Sequence, residues 1–407
     1  MKSWQKKKLG ELCDLITKGT TPTSIGYKFT DKGIKFIKVE SLTELGEIIP
    51  SKVAFIDEEC HDALKRSQLK ANDILFSIAG ALGRIGIVRD EIIPANTNQA
   101  LAIIRLKSDS GVLVNYLAKY FNSNQITDEI EKLRGGAAQQ NLSLTQLSNL
   151  DIPLPPLSEQ KRIVTILDEA FAAIAKAKAN AEQNLKNAKE LFESYLQGVF
   201  ENKGESWEEK TLKELTTHLG DGLHGTPKYT LEGDYYFING NNLTDGLIEL
   251  KSNTKRVSFE EYNKHKKNLT DRTILVSING TLGNVAFYNN EKIILGKSAC
   301  YFNMKEGVDK NYIKYVLSSP YFLQYAQKEA TGATIKNVSL KTMREFIVPL
   351  PSLKLQKVIV DKLEALSAET KKLEAIYQQK INDLEELKKS VLQKAFSGEL
   401  KTAKVIA

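Results

Sequence analysis

Amide and cationic side chains gather in a few loop-like stretches of this 407-residue chain. Gln139, Gln140 and Asn141 lie in GGAAQQNLS, Asn239, Asn241 and Asn242 in YYFINGNNL, Asn279 in SINGTLG, and Lys336 and Asn337 in TGATIKNVS. Lys28, Lys38 and Arg84 stand near glycine-bearing turns earlier in the chain. A carboxamide can bond bidentately to an adenine edge, and Lys or Arg can take guanine or a phosphate oxygen. That chemistry recognises a nucleic acid rather than transforming one. Thr20 and Thr21 in KGTTP, Thr226 and Lys228 in HGTPK, and Ser77 and Ser277 at the head of two Ser-x-x-Gly-x-x-Gly turns complete the candidate DNA-contacting set. For charged members of the set a solvated face is the plain alternative.

Residue types for covalent, nucleotide or metal chemistry do not assemble. Gly296-Lys297-Ser298 has the ending of a phosphate-binding loop, but Glu291 stands where the first glycine belongs. The Ser-x-x-Gly-x-x-Gly turns lead into strand patterns, not into the helix a dinucleotide fingerprint needs. There is no Asn/Asp-Pro-Pro-aromatic tetrapeptide of the kind amino-methyltransferases use. Glu386-Leu387-Lys388 and Glu399-Leu400-Lys401 lie in or beside a helical pattern, not in the strand setting of a nuclease. His218, His224 and Asp221 are neighbours without a nearby cysteine and read as loop residues, while His61 and His265 stand alone. The expectation is a chain with no catalytic residues, no metal and no cofactor of its own.

Bulk properties narrow the setting. A net charge of +7 permits a polyanionic partner without demanding one. Cys13, Cys60 and Cys300 are far apart with no CxxC pair, which fits a reducing cytosol. The stretch MKSWQKKKLGELCDL lacks an apolar core of signal-peptide length, and no run of about 18 apolar residues suggests a membrane span.

The elements that would position the candidates occur twice. The stretch IPLPPLSEQKRI…YLQGVF, 152–200, returns as VPLPSLKLQKVI…VLQKAF, 348–396, pairing Gln160 with Gln356, Leu196 with Leu392 and Phe200 with Phe396. Trp4 returns as Trp207, each expected to be a buried anchor, and Ser77, Gly80 and Gly83 return as Ser277, Gly280 and Gly283. Strand pairs IKFIKVESLTELGEI/YYFINGNNLTDGLIEL and IIPANTNQALAIIRL/KIILGKSACYFNM follow the same order. An internal repeat of this kind sets the architecture.

Each repeat ends in a long helical pattern. Its apolar seam runs Ile163, Leu167, Ala170, Ile174, Ala177, Ala181, Leu185, Ala188, Phe192, Tyr195 and Val199. The copy runs Ile359, Leu363, Leu366, Thr370, Leu373, Tyr377, Ile381, Leu384, Leu387, Val391 and Ala395. Steps of three and four mark a coiled coil, and a helix of ~40 residues is ~60 Å long. With a globular unit between them, the two helices should pack antiparallel. The fold class read from this is α+β: two tandem α/β domains separated by two long helices in an antiparallel coiled coil, with pseudo-two-fold symmetry. The expected boundaries are 1–151, 152–203, 204–347 and 348–407.

In the twice-repeated IPLPPLSEQKRI/VPLPSLKLQKVI, the ELFESYLQGVF/ELKKSVLQKAFSGEL ends, the GDGLHGTPKY turn and the two Ser-x-x-Gly-x-x-Gly turns, the sequence resembles the specificity subunit of type I restriction–modification systems. The likeness runs over essentially the whole chain. It implies two target recognition domains, each reading half of a bipartite double-stranded DNA sequence, with the helix pair setting the unread spacer. It also implies two modification subunits that bring S-adenosylmethionine and methylate adenine N6, and up to two restriction subunits that use ATP and Mg. Those activities would sit outside this chain. One departure from the family phrase is Leu355, where the first copy has Glu159. The competing class is a coiled-coil adaptor presenting two duplicated protein-binding domains; a fused methyltransferase or nuclease is disfavoured by the missing motifs.

Overall fold

The fold comes from a computed structural model that describes residues 4–43, 46–133, 141–332 and 334–400. The chain forms two compact units, one from residues 1–181 with 379–407 and the other from 182–378. Each unit therefore holds part of both long helices.

The first unit is built on a four-stranded sheet in the order Cys13–Lys18, Leu101–Leu106, Ile74–Ser77, Ile85–Ile87. Its middle strands are apolar at nearly every position because both faces are covered. Ile74, Phe76, Ala102 and Ile104 enter one core, while Leu75, Leu101 and Ile103 enter another on the opposite face. Alternation of side chains along a strand produces that split. The second unit repeats it with Thr216–Asp221, Ala299–Met304, Thr273–Ser277 and Val285–Phe287. There Ile274, Val276 and Phe302 face one core and Leu275, Ala299 and Tyr301 the other.

A second sheet covers the other face in each unit. In the first it has three strands, Ala54–Ile56, Ile34–Ile37 and Ala95–Thr97. In the second it has four, Tyr229–Thr230, Arg256–Val257, Tyr235–Ile238 and Ile293–Leu295. The proline-bearing leads before the long helices are strands, Asp151–Leu154 pairing antiparallel with Gln5–Lys8 and Ile347–Leu350 with Glu208–Thr211. Trp4 and Trp207 are only half-buried, so neither is the fully enclosed anchor the sequence suggested.

The long helices span Leu157–Glu201 and Leu353–Phe396, 45 and 44 residues. Each is fixed at its start by the repeated glutamine. Gln160 Oε1 accepts from Leu113 N at 2.9 Å, and Gln160 Nε2 donates to the carbonyls of Gly111 and Pro155 at 2.8 and 3.0 Å. Gln356 likewise accepts from Asp309 N at 2.9 Å and donates to Pro351 O at 2.8 Å. Both glutamines are almost wholly buried with these bonds made, which keeps their polar atoms from being stranded.

The far end of each helix plugs a core. Phe396 packs at 5.5 Å on Tyr116 in the first unit, and Phe200 at 5.7 Å on Tyr312 in the second. In the first unit the start of one helix (Ile163, Leu167) shares a core with the end of the other (Leu392, Ala395, Phe396). In the second unit Val360 and Leu363 share one with Leu196 and Phe200. Start meets end both times, so the helices run antiparallel, tied in the first unit by Lys178 and Glu385.

The seam differs from the periodic pattern in three places. Tyr195, Leu373 and Leu387 are exposed, and Leu196 is buried in place of its neighbour. The last turns of the first helix pack on the domain core as well as on the partner helix, so the inward face shifts by one residue. Glu159 is held by Arg162, with bonds of 2.7 and 2.8 Å, and Arg162 also reaches Leu400 O at 3.0 Å. Leu355 and Val358 occupy those places in the second copy, so this anchor belongs to the first unit alone. No helix among the described residues is long and apolar enough to cross a membrane.

Candidate nucleic-acid interface

Antiparallel pairing brings separate loops to one end of each main sheet. In the first unit Lys18 lies opposite Ala102 and Ser77 opposite Leu101, so residues 19–21, 78–84 and 98–100 emerge together. Thr20 N donates to Thr97 O at 3.2 Å, Ile78 N to Ala100 O at 2.9 Å and Leu142 N to Ile78 O at 2.9 Å. The second unit closes in the same way: Leu223 N to Leu295 O at 2.6 Å, Ile278 N to Ser298 O at 3.0 Å and Val338 N to Ile278 O at 2.8 Å. Gly19 and Gly222 are required by the closeness of these strands. A Cβ would sit 1.9 Å from Thr97 O at the first and 2.1 Å from Leu295 O at the second.

The Ser-x-x-Gly-x-x-Gly turns cap the central hairpin with nearly identical backbones. Gly80 and Gly83 have φ of 74° and 80°, and Gly280 and Gly283 have 77° and 81°. Gly83 N and Gly283 N both donate to the carbonyl of the leading serine at 3.0 Å. The serines lie inside the turn rather than on its rim. Ser77 and Ser277 are buried, and their hydroxyls donate to the carbonyls of Ala79 and Thr281, so they hold the turn.

Most other candidates of the first unit reach this end. Thr20 Oγ1 accepts from Arg66 Nη2 at 3.2 Å, Thr21 donates to Gln99 Oε1, and Asn141 is exposed beside Leu142. Arg84 is half-buried at the base of the turn. Lys38 follows strand Ile34–Ile37, whose last residue pairs with Thr97, and its ammonium lies 4.3 Å from the Phe29 ring. Lys28 is exposed on the loop before that strand. Gln139 and Gln140 lie outside the described residues.

In the second unit Asn239 occupies the place of Lys38, with Ile238 paired to Leu295, and its Oδ1 accepts from Ser298 Oγ at 3.0 Å. Asn279 Nδ2 donates to Asn337 Oδ1 at 3.0 Å, and Gly280 N to Lys336 O at 3.0 Å, tying the 331–338 loop to the turn. Lys336, Asn337, Thr226, Lys228 and Asn241 are exposed. Asn242 is a framework residue instead. It is buried, accepts from Asn239 N at 3.1 Å and donates to Glu249 O at 3.0 Å and Thr254 Oγ1 at 3.2 Å.

The lysines and arginines between Lys251 and Arg272 do not form one patch. Arg272 turns inward, donating to the carbonyls of Met304, Lys305 and Val308 at 2.9, 2.6 and 2.8 Å. Lys255 and Lys266 instead lie 5.9 and 5.8 Å from the rings of Tyr229 and Tyr262. Among the described residues no group of three or more His, Cys, Asp or Glu side chains could hold a metal ion. His218 bonds Tyr301 Oη at 2.9 Å, and His224 bonds Asp221 at 2.7 Å.

Gln99 and Lys297 are additions that sequence reasoning missed. Each is exposed on a three-residue turn that interrupts what the sequence presents as one apolar strand. The interruption is imposed by neighbours, such as Gly240 N donating to Ser298 Oγ at 2.9 Å, and leaves no periodic signal. Taken together, each sheet end offers a rim of amide, hydroxyl and ammonium groups on a backbone fixed by hydrogen bonds. That suits the donor and acceptor pattern of base edges with phosphates beside them.

A family model described as the type I restriction modification DNA specificity domain matches the chain twice, over residues 1–186 and 204–386. The chain belongs to that family. A Methanocaldococcus jannaschii protein assigned as a type I restriction enzyme MjaX specificity subunit is 26% identical over 424 residues, covering 98% of this chain and 94% of its own length. The type I restriction enzyme EcoKI specificity subunit of Escherichia coli is 24% identical over 361 residues, covering 83% of this chain and 77% of its own. The fold is that of a chain solved in work on complex assembly and conformational transition of the type I R-M system, with a TM-score of 0.80 at 20% identity, covering 98% and 99% of the two chains. The HsdS subunit from Thermoanaerobacter tengcongensis gives 0.63 at 19% identity, covering 98% of both. As a type I restriction–modification specificity subunit, the chain is the DNA-specificity member of its system and not the catalytic one.

Proposed function

We propose that the chain reads a bipartite double-stranded DNA target, one half-site with residues 1–151 and the other with residues 204–347. The long helices within 152–203 and 348–407 set the unread spacer. The observation that carries this is the sheet end built twice on one hydrogen-bonded frame with different exposed side chains. A 45-residue helix is about 68 Å long, roughly two turns of B-DNA at ~34 Å each. Two readers spaced on that scale suit two half-sites separated by a gap. The exposed and half-exposed members of the sequence set (Thr20, Thr21, Lys28, Lys38, Arg84, Asn141, Thr226, Lys228, Asn239, Asn241, Asn279, Lys336 and Asn337) supply the contacts, joined by Gln139 and Gln140.

The chain grips and registers DNA for two modification subunits, which bring S-adenosylmethionine and methylate adenine N6. Because N6 is inside the base stack, those partners must extrude the base to reach it. Up to two restriction subunits, using ATP and Mg, complete the complex in the cytosol. Methylation sequencing of DNA from a methylation-free host expressing the chain with its modification subunit tests this. The expected motif has two parts. One heptad inserted after both Asn180 and Gln378 lengthens the helix pair by about 10 Å, so the spacer should grow by about three base pairs. An active enzyme with an unchanged spacer defeats the ruler, and DNA binding that does not weaken with salt defeats DNA reading in favour of an adaptor.

A further inference from the structure

Gln99 and Lys297 hold equivalent places. Each lies one residue before the carbonyl that accepts the amide of Ile78 or Ile278. The turns are pinned on both sides: Ala100 N donates to Asn98 Oδ1 at 3.2 Å in the first, and Lys297 N to Leu223 O at 3.0 Å in the second. One backbone frame thus carries a neutral carboxamide in one unit and an ammonium in the other, both exposed.

Gln99 Oε1 accepts the hydroxyl of Thr21, which leaves its amide N–H groups to donate. Lys297 offers N–H donors by its nature and has no acceptor. Both sites therefore present donors, although only one is charged. A phosphate oxygen takes a donor from Gln as well as from Lys, but one phosphate grip on one frame gives no reason for the side chain to differ, whereas two half-sites of different sequence do.

We infer that Gln99 and Lys297 are specificity-determining residues, each reading an acceptor-bearing purine edge in its own half-site, with guanine O6 and N7 the edge for Lys297. This rests on the bipartite reading above. It adds a fixed donor polarity to one position in each half-site.

The test uses the chain reconstituted with its modification subunits, on duplexes carrying the motif found by methylation sequencing and its single-base variants. Gln99→Glu keeps the bond from Thr21 and turns the amide donor into an acceptor. Methylation of the original target should fall about 10- to 100-fold, with the loss confined to one base of the first half-site, where cytosine, an N4 donor, becomes the favoured base. Lys297→Gln should change the preference at one base of the second half-site and leave the first untouched. An unchanged motif in both variants overturns the inference. So does a uniform loss across all sequences with a shallower salt dependence, the mark of a phosphate contact. If the unmodified complex yields no two-part motif, the bipartite reading itself fails; a two-part motif insensitive to both substitutions removes only this inference.

Discussion

In the first unit Asp73 is fully buried and its carboxylate takes Arg105 Nε and Nη2 at 2.8 and 2.7 Å. The same pair of positions in the second unit holds Thr273 and Asn303, a hydroxyl donating to a carboxamide oxygen at 2.5 Å. Both pairs bridge the same two strands of the main sheet. One solution is ionic and the other neutral, and the backbone around them is alike. The duplicated frame thus tolerates different chemistry in its core as well as at its rim, provided each buried polar group finds a partner.

The comparison can be broken at that pair. Asp73→Asn should destabilise the first unit by about 3–5 kcal/mol, because Arg105 loses its counter-charge in a partly buried setting. Denaturant melts, with hydrogen exchange to localise the loss, measure it. Transplanting the neutral solution, Asp73→Thr with Arg105→Asn, should recover most of that loss. Failure to recover any would mean the two frames are not equivalent.

Next in size are the close strand approaches. Gly19→Ala and Gly222→Ala should each cost about 2–3 kcal/mol, since backbone carbonyls occupy the space a methyl needs. A large difference between the two would show the sheet ends to be unlike. Thr273→Val, which strands Asn303 Oδ1, should cost about 1–2 kcal/mol, less than Asp73→Asn because no charge is left behind.

The smallest effect concerns acid. Burial alone would raise the Asp245 carboxyl, but bonding from Lys371 and the nearby Lys314, 3.3 Å away, hold it below its ordinary value. A carboxylate depressed by folding contributes stability above its unfolded value, near 3.8, that is lost as pH falls through the folded one. Asp245→Asn should therefore flatten the acid limb of the stability curve by at most about 1 kcal/mol after solvent screening. An unaltered limb would show that this contact contributes nothing.

Much of this architecture could be read from the chain because it is written twice. Gln160 and Gln356 recur with their proline leads, and burial explains why: each satisfies backbone groups at a helix start. The glycines of the turns were legible through their spacing, since positive φ leaves few alternatives. Residues that depend on what lies across a sheet were not. Ser77 and Asn242 resemble rim residues by type, yet pairing turns them inward. Gln99 and Lys297 sit in runs that look like uninterrupted strand, and only contacts from distant residues break those runs. Tyr195 satisfies the helical period, but the period assumes a single partner, and the helix gains the domain core as a second one before its end.

The helix ends also bear on the order in which the protein is made. The second unit is one unbroken stretch, 182–378, whereas the first also draws on the helix end 379–396. Tyr116 meets Phe396 only once residue 396 has left the ribosome. Chains emerge at roughly 5–20 residues per second, so the first unit waits on the order of ten seconds or more with its plug missing. The domain synthesised second is the first to have all its parts, and the domain synthesised first is the last to receive its final one.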